Sequence, residues 1–375
     1  MSEPTENPPN APTAATLAAA LRDSRRRTLA LFQRLQAAIG AEALPRYLPE
    51  LSPPLWDLGH LAWYEGWWTS RNPGLMAGDG ANPATARAPS GLLPQADAWF
   101  DDRRVNQPAR WHQPLPPAAV VADWARRTRE HSLALLPAAS RRPAALALFA
   151  RVLDAEDRLH EDWLSIAQTL GIAPGDAADD PAPAAGAAAG DAPLAIDLAP
   201  VSWARFLPFV DAGGYEERSF WSDEGWEWRK RQGLLRPRHV AEPGEPGTPP
   251  RRARFGQWVP LDPAQPAMHL SAHEARAWCR WAGRRLPTAA EWRAAQVGAP
   301  GFAWGEVWEW VQGDECDECD DRDDRTEGDA AGAAPLLVGV SFATAARLRG
   351  QPGLRRQPAE RNDGFSGFRS AAAAA

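Results

Sequence analysis

The segment RRLPTAAEW at residues 284–292 is followed along the chain by WGEVWEW at 304–310 and by GFSGFR at 364–369. Each segment alone carries little information, but the three stand in a fixed order within one stretch of sequence. Around them the sequence consists of short segments punctuated by Gly, Pro and Trp, with helical patterns only over 271–282 and 288–296. The C-terminal half is therefore predicted to be a mixed, loop-rich domain.

These three segments resemble the formylglycine-generating-enzyme-like (sulfatase-modifying-factor) domain, whose members carry RLPTEAEWE, GNVWEW and a closing GFR. The resemblance implies a C-type-lectin-like fold, but that scaffold has several uses. The formylglycine generators themselves need a pair of copper-binding cysteines late in the domain. Here the cysteines are Cys279, Cys316 and Cys319, and none lies near the closing GFR. Sulfatase maturation is therefore disfavoured, and the N-terminal half must indicate the function.

The N-terminal half carries helical patterns. Leu17 and Leu21 begin a series of apolar residues at three- and four-residue spacing, which is typical of an amphipathic helix. Ser52, followed by two prolines, predicts the capped start of a second helix, and Gly171 predicts the end of a fourth. Four helices with one long connection indicate a four-helix bundle. The predicted helices span 14–39, 52–68, 117–136 and 143–170, and the long connection spans 72–113.

The two halves together predict an α+β protein. Residues 173–193 are almost entirely Ala, Gly, Asp and Pro, which cannot bury a core, so they are predicted to form a linker. The predicted organisation is a disordered N-terminus at 1–13, a helical bundle at 14–172, the linker at 173–193, the loop-rich domain at 194–370 and a tail at 371–375.

The amino-acid composition disfavours several classes of protein. The chain has 375 residues, a net charge of −7 and arginines scattered among acidic residues, which disfavours binding to nucleic acid or to an anionic membrane. The first residues are polar and Pro-rich, and no apolar run approaches the length of a membrane span. Three cysteines cannot all pair, so a reducing compartment is expected. These features predict a soluble cytoplasmic protein.

One phrase of the second helix resembles a known metal-binding helix. The segment SPPLWDLGHLAWYE at 52–65 resembles the WxLGHxxW helix of the DinB-like bundle in the nonheme iron synthases of ergothioneine, ovothiol and selenoneine biosynthesis. Those enzymes join this bundle to a formylglycine-generating-like domain in the order found here, so the resemblance covers nearly the whole chain. It implies that His60 is a ligand of iron(II).

A later helix of those enzymes supplies two more histidines in an HxxxH pattern, because residues four apart share one helical face. Here the matching segment reads DAEDRLHEDWL at 154–164. If His160 is the second histidine, Glu156 takes the first position and the ligands are His60, Glu156 and His160, a two-histidine, one-carboxylate set. If His160 is the first, Leu164 replaces the second. We favour the Glu156 register; an ordinary surface pair and a packed core histidine are the alternatives.

The resemblance also implies substrates: dioxygen, the imidazole compound hercynine, and a sulfur or selenium donor. Aromatic faces hold a trimethylammonium group best, which makes Trp63 and Trp308 candidates, with core packing as the alternative for both. The segment RNDGF at 361–365 precedes the closing GFR, where relatives place polar residues that face the iron. The predicted substrate contacts are Asn362, Asp363, Arg361, Phe365, Trp63 and Trp308, whereas the remaining histidines, including His239 and His269, are expected to be structural.

The absence of a tyrosine after the WEW segment helps to distinguish the branches of this family. Ergothioneine synthases use a tyrosine some residues past WEW as proton donor, but no tyrosine follows Trp310 here. We therefore favour the selenoneine branch, with a selenosugar as donor, over an ergothioneine- or ovothiol-type sulfoxide synthase using γ-glutamylcysteine or cysteine. A non-catalytic binding module and a DinB-type thiol transferase are the alternatives of other classes. Cys316 and Cys319 have the spacing of half a zinc site, but an acidic loop is the favoured interpretation.

Overall fold

The computed structural model describes residues 13–39, 52–77, 87–88, 90–175, 181–183, 195–242, 244, 248–313 and 335–373. The chain divides into two compact units, Met1–Trp163 and Leu164–Ala375. The predicted N-terminal segment and the predicted linker lie largely outside the described residues. Cys316 and Cys319, with the loop predicted around them, lie wholly outside.

The regular elements described in the first unit are all helical. The four long helices are present close to their predicted bounds, and the connection between the second and third contains two short helices that were not predicted. None of the helices in the described ranges is long and apolar enough to cross a membrane. The helices are α1 (Ala14–Ile39), α2 (Pro54–Trp68), α3 (Ala96–Phe100), α4 (Gln107–His112), α5 (Ala118–Ala139) and α6 (Pro143–Leu170).

The start of α2 corrects one detail of the prediction. Its N-cap residue is Pro53, which makes no side-chain capping hydrogen bond, and Pro54 occupies the first turn, where a missing N–H costs nothing. Ser52 does not cap the helix. Its hydroxyl instead accepts a 3.2 Å hydrogen bond from Arg110, so Ser52 ties the helix start to α4.

The end of α6 follows the prediction. Gly171 adopts a left-handed φ of 70°, and the N–H of Ile172 donates to the carbonyl of Ala167 at 2.8 Å. This is the Schellman arrangement, which satisfies carbonyls at a helix end and favours glycine because it lacks a Cβ.

An apolar cluster joins α1, the end of α5 and the first half of α6. Its members are almost completely shielded from solvent, and Tyr64 and Trp68 of α2 pack against them. The cluster therefore packs the end of α2 against α6 through apolar contacts. Its members include Leu17, Leu21, Leu136, Leu148, Phe149 and Val152.

The second unit mixes short helices and strands. Its main sheet has the order β6-β5-β4-β7, in which β4 and β7 are parallel and the other pairs antiparallel. The elements are α7 (Trp203–Asp211), α8 (Asp223–Gln232), β1 (Arg251–Arg254), β2 (Gln257–Pro260), α9 (Ala272–Trp281), β3 (Arg284–Arg285), α10 (Ala289–Gly298), β4 (Trp308–Val311), β5 (Leu336–Gly339), β6 (Gly353–Arg356), β7 (Ser366–Phe368) and β8 (Ala371–Ala372).

The segments RRLPTAAEW, WGEVWEW and GFSGFR each have a structural role in this unit. Thr288 and Glu291 form a capping box at the start of α10. WEW forms β4, and GFR places β7 beside it, with Trp310 opposite Phe368. The buried guanidinium of Arg369 binds Glu309 of β4 at 2.5 and 2.7 Å. The first segment thus caps α10, and the other two form the paired strands β4 and β7, which the ion pair between Arg369 and Glu309 links.

The last described residues are part of the fold. Ala371 and Ala372 form β8 and pair with Arg285 and Arg284 of β3. The tail predicted from residue 371 therefore contributes a strand, and the domain continues at least to Ala372. An all-alanine sequence gives no periodic signal for a strand, so only the pairing partner reveals it.

Candidate functional site

His60 lies on α2 between two aromatic rings. The Trp56 ring stacks on it at 4.9 Å and the Trp63 ring at 5.7 Å. The Nδ1 atom of His60 is 2.8 Å from the carbonyl oxygen of Phe100, so Nδ1 carries the proton and Nε2 keeps its lone pair. Burial lowers the pKa of His60. A neutral imidazole whose other nitrogen donates to a carbonyl is the usual state of a metal-binding histidine.

His160 lies on α6 and is also held neutral. Burial, together with the nearby charge of Arg27, lowers the pKa of His160 to about 4. Its Nδ1 atom is shielded from solvent and has no hydrogen-bond partner among the described residues. A buried ring nitrogen without a partner is costly, so His160 has an available position for a ligand.

Three sets of contacts fix the direction of α2 against α6. As the residue number rises along α2, the number of its partner on α6 falls, so the two helices are antiparallel. The contacts are a 3.0 Å hydrogen bond from the Trp163 indole to Asp57, two arginines shared by Glu65 and Glu156, and the Arg151 guanidinium 4.7 Å from the Trp68 ring centroid.

This pairing brings the two candidate histidines to one level. His60 lies between Asp57 and Glu65 on α2, and His160 lies between their partners on α6. Asp57 precedes His60 by three residues and Trp163 follows His160 by three, so each histidine shares a helical face with a contact residue. The contacts on either side therefore place His60 and His160 at a similar level along the two antiparallel helices.

Glu156 lies in a different environment from the one predicted. Its two carboxylate oxygens accept hydrogen bonds from Arg25 at 2.7 Å and from Arg129 at 2.6 Å. Glu65 binds the same two arginines at 2.8 and 2.7 Å, and the four side chains are at most 4% exposed. We call these residues, Arg25, Glu65, Arg129 and Glu156, the buried charge cluster.

The buried charge cluster engages the carboxylate of the three-ligand prediction. Burial alone would raise the pKa of Glu156, but the charges of Arg25 and Arg129 hold it below its ordinary value. As a metal ligand, Glu156 would have to give up both ion pairs. Within the described ranges no group of three His, Cys, Asp or Glu residues is placed to hold a metal ion. Of the three predicted ligands, His60 and His160 thus lie at a similar level of α2 and α6, whereas Glu156 is bound by two arginines.

The two predicted tryptophans already have cationic partners. Trp63 donates a 2.6 Å hydrogen bond to Asp97, and the Arg103 guanidinium lies 5.3 Å from its ring centroid. Trp308 is buried in the sheet of the second unit, with Arg355 at 4.4 Å from its ring centroid. Both rings therefore attract cations, yet an arginine occupies one face of each.

The RNDGF segment forms one polar cluster in the second unit. Arg361 binds Asp363 through two hydrogen bonds of 2.9 and 2.7 Å, and Asn362 accepts a 3.1 Å hydrogen bond from Arg238. Phe365 is buried 5.5 Å from the ring of His269. All four predicted substrate contacts of this segment thus lie together. They contact Arg238 and His269, which were not predicted to bind substrate.

Known proteins resemble this chain over both units. Residues 162–306 match the family described as the sulfatase-modifying factor enzyme 1-like domain. Hercynine oxygenase of Mycolicibacterium thermoresistibile is 30% identical over 338 residues, which cover 79% of this chain and 70% of that protein. Hercynine oxygenase of Mycobacterium tuberculosis is 29% identical over 314 residues, 74% and 69% of the two chains. A formylglycine-generating enzyme of Streptomyces coelicolor is 51% identical, but over 47 residues, or 12% of this chain and 15% of that protein.

Proposed function

The chain belongs to the family of the hercynine oxygenases, and on that premise we propose that it is an iron(II)- and dioxygen-dependent enzyme acting on hercynine. It joins the imidazole carbon of hercynine to a selenium or sulfur donor. The observation that carries this proposal is the placement of His60 and His160 at one level of α2 and α6, each neutral and each with an available ring nitrogen.

The residues present fit an iron ion in part. His60 and His160 would hold it, because neutral imidazole nitrogens suit iron(II), whereas Glu156 is engaged by arginines. Held by these two histidines, iron(II) would supply the chemistry that activates dioxygen towards the substrate. A third protein ligand is not part of the proposal.

The protein's own contribution is to orient and shield this site. The hydrogen bond from His60 to Phe100 fixes the tautomer and the ring plane, and the stacked Trp56 and Trp63 rings keep water from one side. The buried charge cluster holds α2 and α6 in register. In the second unit Asn362 and Asp363, fixed by arginines, are proposed to bind polar groups of a substrate.

The donor is proposed to be a selenosugar. The absence of any tyrosine after Trp310 supports this branch, because the proton donor of sulfoxide formation is missing. An ergothioneine- or ovothiol-type reaction with γ-glutamylcysteine or cysteine is the nearest alternative. It would need another acid to supply that proton.

The test is anaerobic reconstitution with iron(II), followed by air, hercynine and one donor at a time. Products are read by mass spectrometry, and oxygen uptake is followed with an electrode. A selenium-bearing hercynine adduct is expected with the selenosugar; a sulfoxide adduct with a thiol would instead place the chain in the ergothioneine branch. His60→Ala should abolish iron binding and turnover, whereas His131→Ala, which removes an exposed histidine of α5, should change neither.

A second function is favoured by the buried charge cluster. Both carboxylate oxygens of Glu156 bind arginines, so this function is that of a non-catalytic module with the same fold, which binds a small molecule without a metal. That function predicts hercynine binding without iron and no oxygen uptake. A DinB-type thiol transferase would turn over with a divalent metal under nitrogen. Oxygen uptake therefore identifies the first function, and turnover under nitrogen separates the transferase from the binding module.

A further inference from the structure

Two histidines that the proposed reaction does not use meet beside the RNDGF segment. The rings of His239 and His269 are 4.8 Å apart and nearly perpendicular. His269 is 4% exposed and packs its ring 5.5 Å from Phe365. We call them the histidine pair. It lies in the same polar cluster as Asn362 and Asp363, because Arg238 precedes His239 and binds Asn362.

Both members of the pair have a backbone that side chains rarely adopt. The φ angles are 67° at His239 and 59° at His269. Among non-glycine residues in the described ranges, Phe255 alone shares this left-handed conformation. The conformation is unfavourable for a residue with a Cβ, and such strain concentrates at sites that bind or react. Two strained histidines in ring contact therefore indicate a site selected for something other than stability.

Each ring also has an unused nitrogen. His239 Nε2 and His269 Nδ1 are shielded from solvent and have no hydrogen-bond partner among the described residues. His269 makes a hydrogen bond with the backbone of Gly364 that raises its pKa. That bond must use Nε2–H as donor, because Nδ1 has no partner. The Nδ1 atom of His269 is therefore an acceptor that nothing in the described chain satisfies.

The surroundings define what can approach this acceptor. Burial lowers the pKa of both histidines, to about 4 for His239, and the charge of Arg238 lowers both further. The pair is neutral. The carboxylate of Asp363 also acts on His239 but is paired with Arg361, so the charge of Arg238 disfavours a metal cation or an ammonium group.

We propose that the histidine pair is a ligand-binding subsite of the second unit, which receives the O–H or neutral N–H donor of a small uncharged or anionic molecule at His269 Nδ1. The Phe365 ring supplies one apolar wall. Arg238 accommodates negative charge on the same ligand. This subsite needs neither iron nor the proposed reaction, so it can be tested without them.

The experiment compares two probes that differ by a single donor. Imidazole has an N–H and 1-methylimidazole has none; both are uncharged at pH 8.5. The full-length chain is titrated with each, and the nitrogen resonance of His269 Nδ1 is followed by NMR. Imidazole should move this resonance and bind about tenfold more tightly than 1-methylimidazole, the worth of one hydrogen bond. Erythritol in a parallel titration distinguishes a hydroxyl donor from an azole donor.

Two variants of His269 complete the design. His269→Asn keeps an acceptor near the Nδ1 position and a residue type that tolerates positive φ, so it should retain the preference for imidazole. His269→Phe replaces the imidazole by a ring without a hydrogen-bond acceptor, so this variant should bind imidazole and 1-methylimidazole equally. The inference is overturned if imidazole and 1-methylimidazole move His269 Nδ1 equally, if no probe moves it, or if the phenylalanine variant keeps the preference. Should that variant not fold, the comparison of probes on the unaltered chain decides alone.

Discussion

At the scale of single residues, the environment of a side chain determines what its chemistry can do. His60 and His160 are neutral because burial disfavours the charged imidazole. Glu156 is charged because two arginines compensate the same burial. A carboxylate and two histidines on neighbouring helical faces therefore have separate roles: the histidines are available to a ligand, and the carboxylate holds the helices together.

Glu156→Gln separates these roles. The substitution leaves two buried arginines facing one carboxylate, and breaking a buried ion pair costs about 3–5 kcal/mol. We expect that loss in the free energy of unfolding, measured by urea titration, with iron(II) stoichiometry unchanged in the protein that remains folded. Asp23→Asn is the control, because its ion pairs with Arg26 and Arg27 are solvent-exposed and worth less than about 1 kcal/mol. Loss of iron without loss of stability would instead make Glu156 a ligand.

His239 gives a prediction for the pH dependence of stability. Its pKa is about 4 in the folded chain, against about 6.5 in an unfolded one. Below pH 6.5 the unfolded chain therefore binds more protons at this residue, so stability is lost as the pH falls from 6.5 towards 4. The full loss is about 3 kcal/mol.

Urea titrations at pH 7 and pH 4.5 measure this loss. His239→Asn should reduce the difference in unfolding free energy between the two pH values. His131→Asn, at an exposed position of α5, should leave it unchanged. An equal pH dependence in the His239 variant and the unaltered chain would contradict the prediction.

At the scale of elements, α2 is positioned by close contact with α3. A Cβ on Gly59 would lie 2.1 Å from the ring of Phe100, so the two helices can approach only with glycine there. This approach brings the carbonyl of Phe100 to His60. Gly59 therefore allows the hydrogen bond between His60 and Phe100, which lie forty residues apart in sequence.

Gly59→Ala should displace α3 and weaken the hydrogen bond to His60. Overpacking of this kind costs about 1–3 kcal/mol, and loss of the partner of a metal-binding histidine weakens metal affinity about 10–100-fold. Both are measurable, by urea unfolding and by anaerobic iron(II) titration.

Gly66→Ala is the matched control on the same helix. Its Cβ would come closest to the flexible Arg71 side chain, at 3.3 Å, and alanine favours a helix by about 1 kcal/mol over glycine. Stability should therefore be equal or higher, with iron affinity unchanged. If both variants lose iron affinity equally, the contact between Gly59 and Phe100 does not position His60.

At the scale of the whole molecule, the proposed iron site lies within one compact unit and the histidine pair within the other. A ligand that binds only a folded unit stabilises that unit by mass action, by about 2.7 kcal/mol at a free concentration one hundred times its dissociation constant. Iron(II) should therefore raise the temperature of a transition that includes the helical unit. Anaerobic calorimetry measures it, and His60→Ala should remove the shift. A shift that survives in His60→Ala would place the iron elsewhere.

Much of the helical unit could be predicted from the sequence, because apolar spacing and Gly171 act locally. The buried charge cluster could not. Arg25 lies 131 residues from Glu156 along the chain, and sequence spacing does not indicate which of many arginines meets a given carboxylate. The histidine pair could not be predicted either, because neither a positive φ angle nor an unpartnered ring nitrogen can be recognised from the order of residue types.

The sequence by itself determined the elements and their order, because helix periodicity, capping residues and the RLPT, WEW and GFR segments act over a few residues. It also indicated the two histidines now proposed to hold iron. Only the tertiary structure decided which charges compensate one another, that Ala371 and Ala372 complete a strand pair, and which ring nitrogens stay available. Those outcomes depend on contacts of about 3 Å between distant segments, where electrostatic and hydrogen-bond energies change steeply with distance.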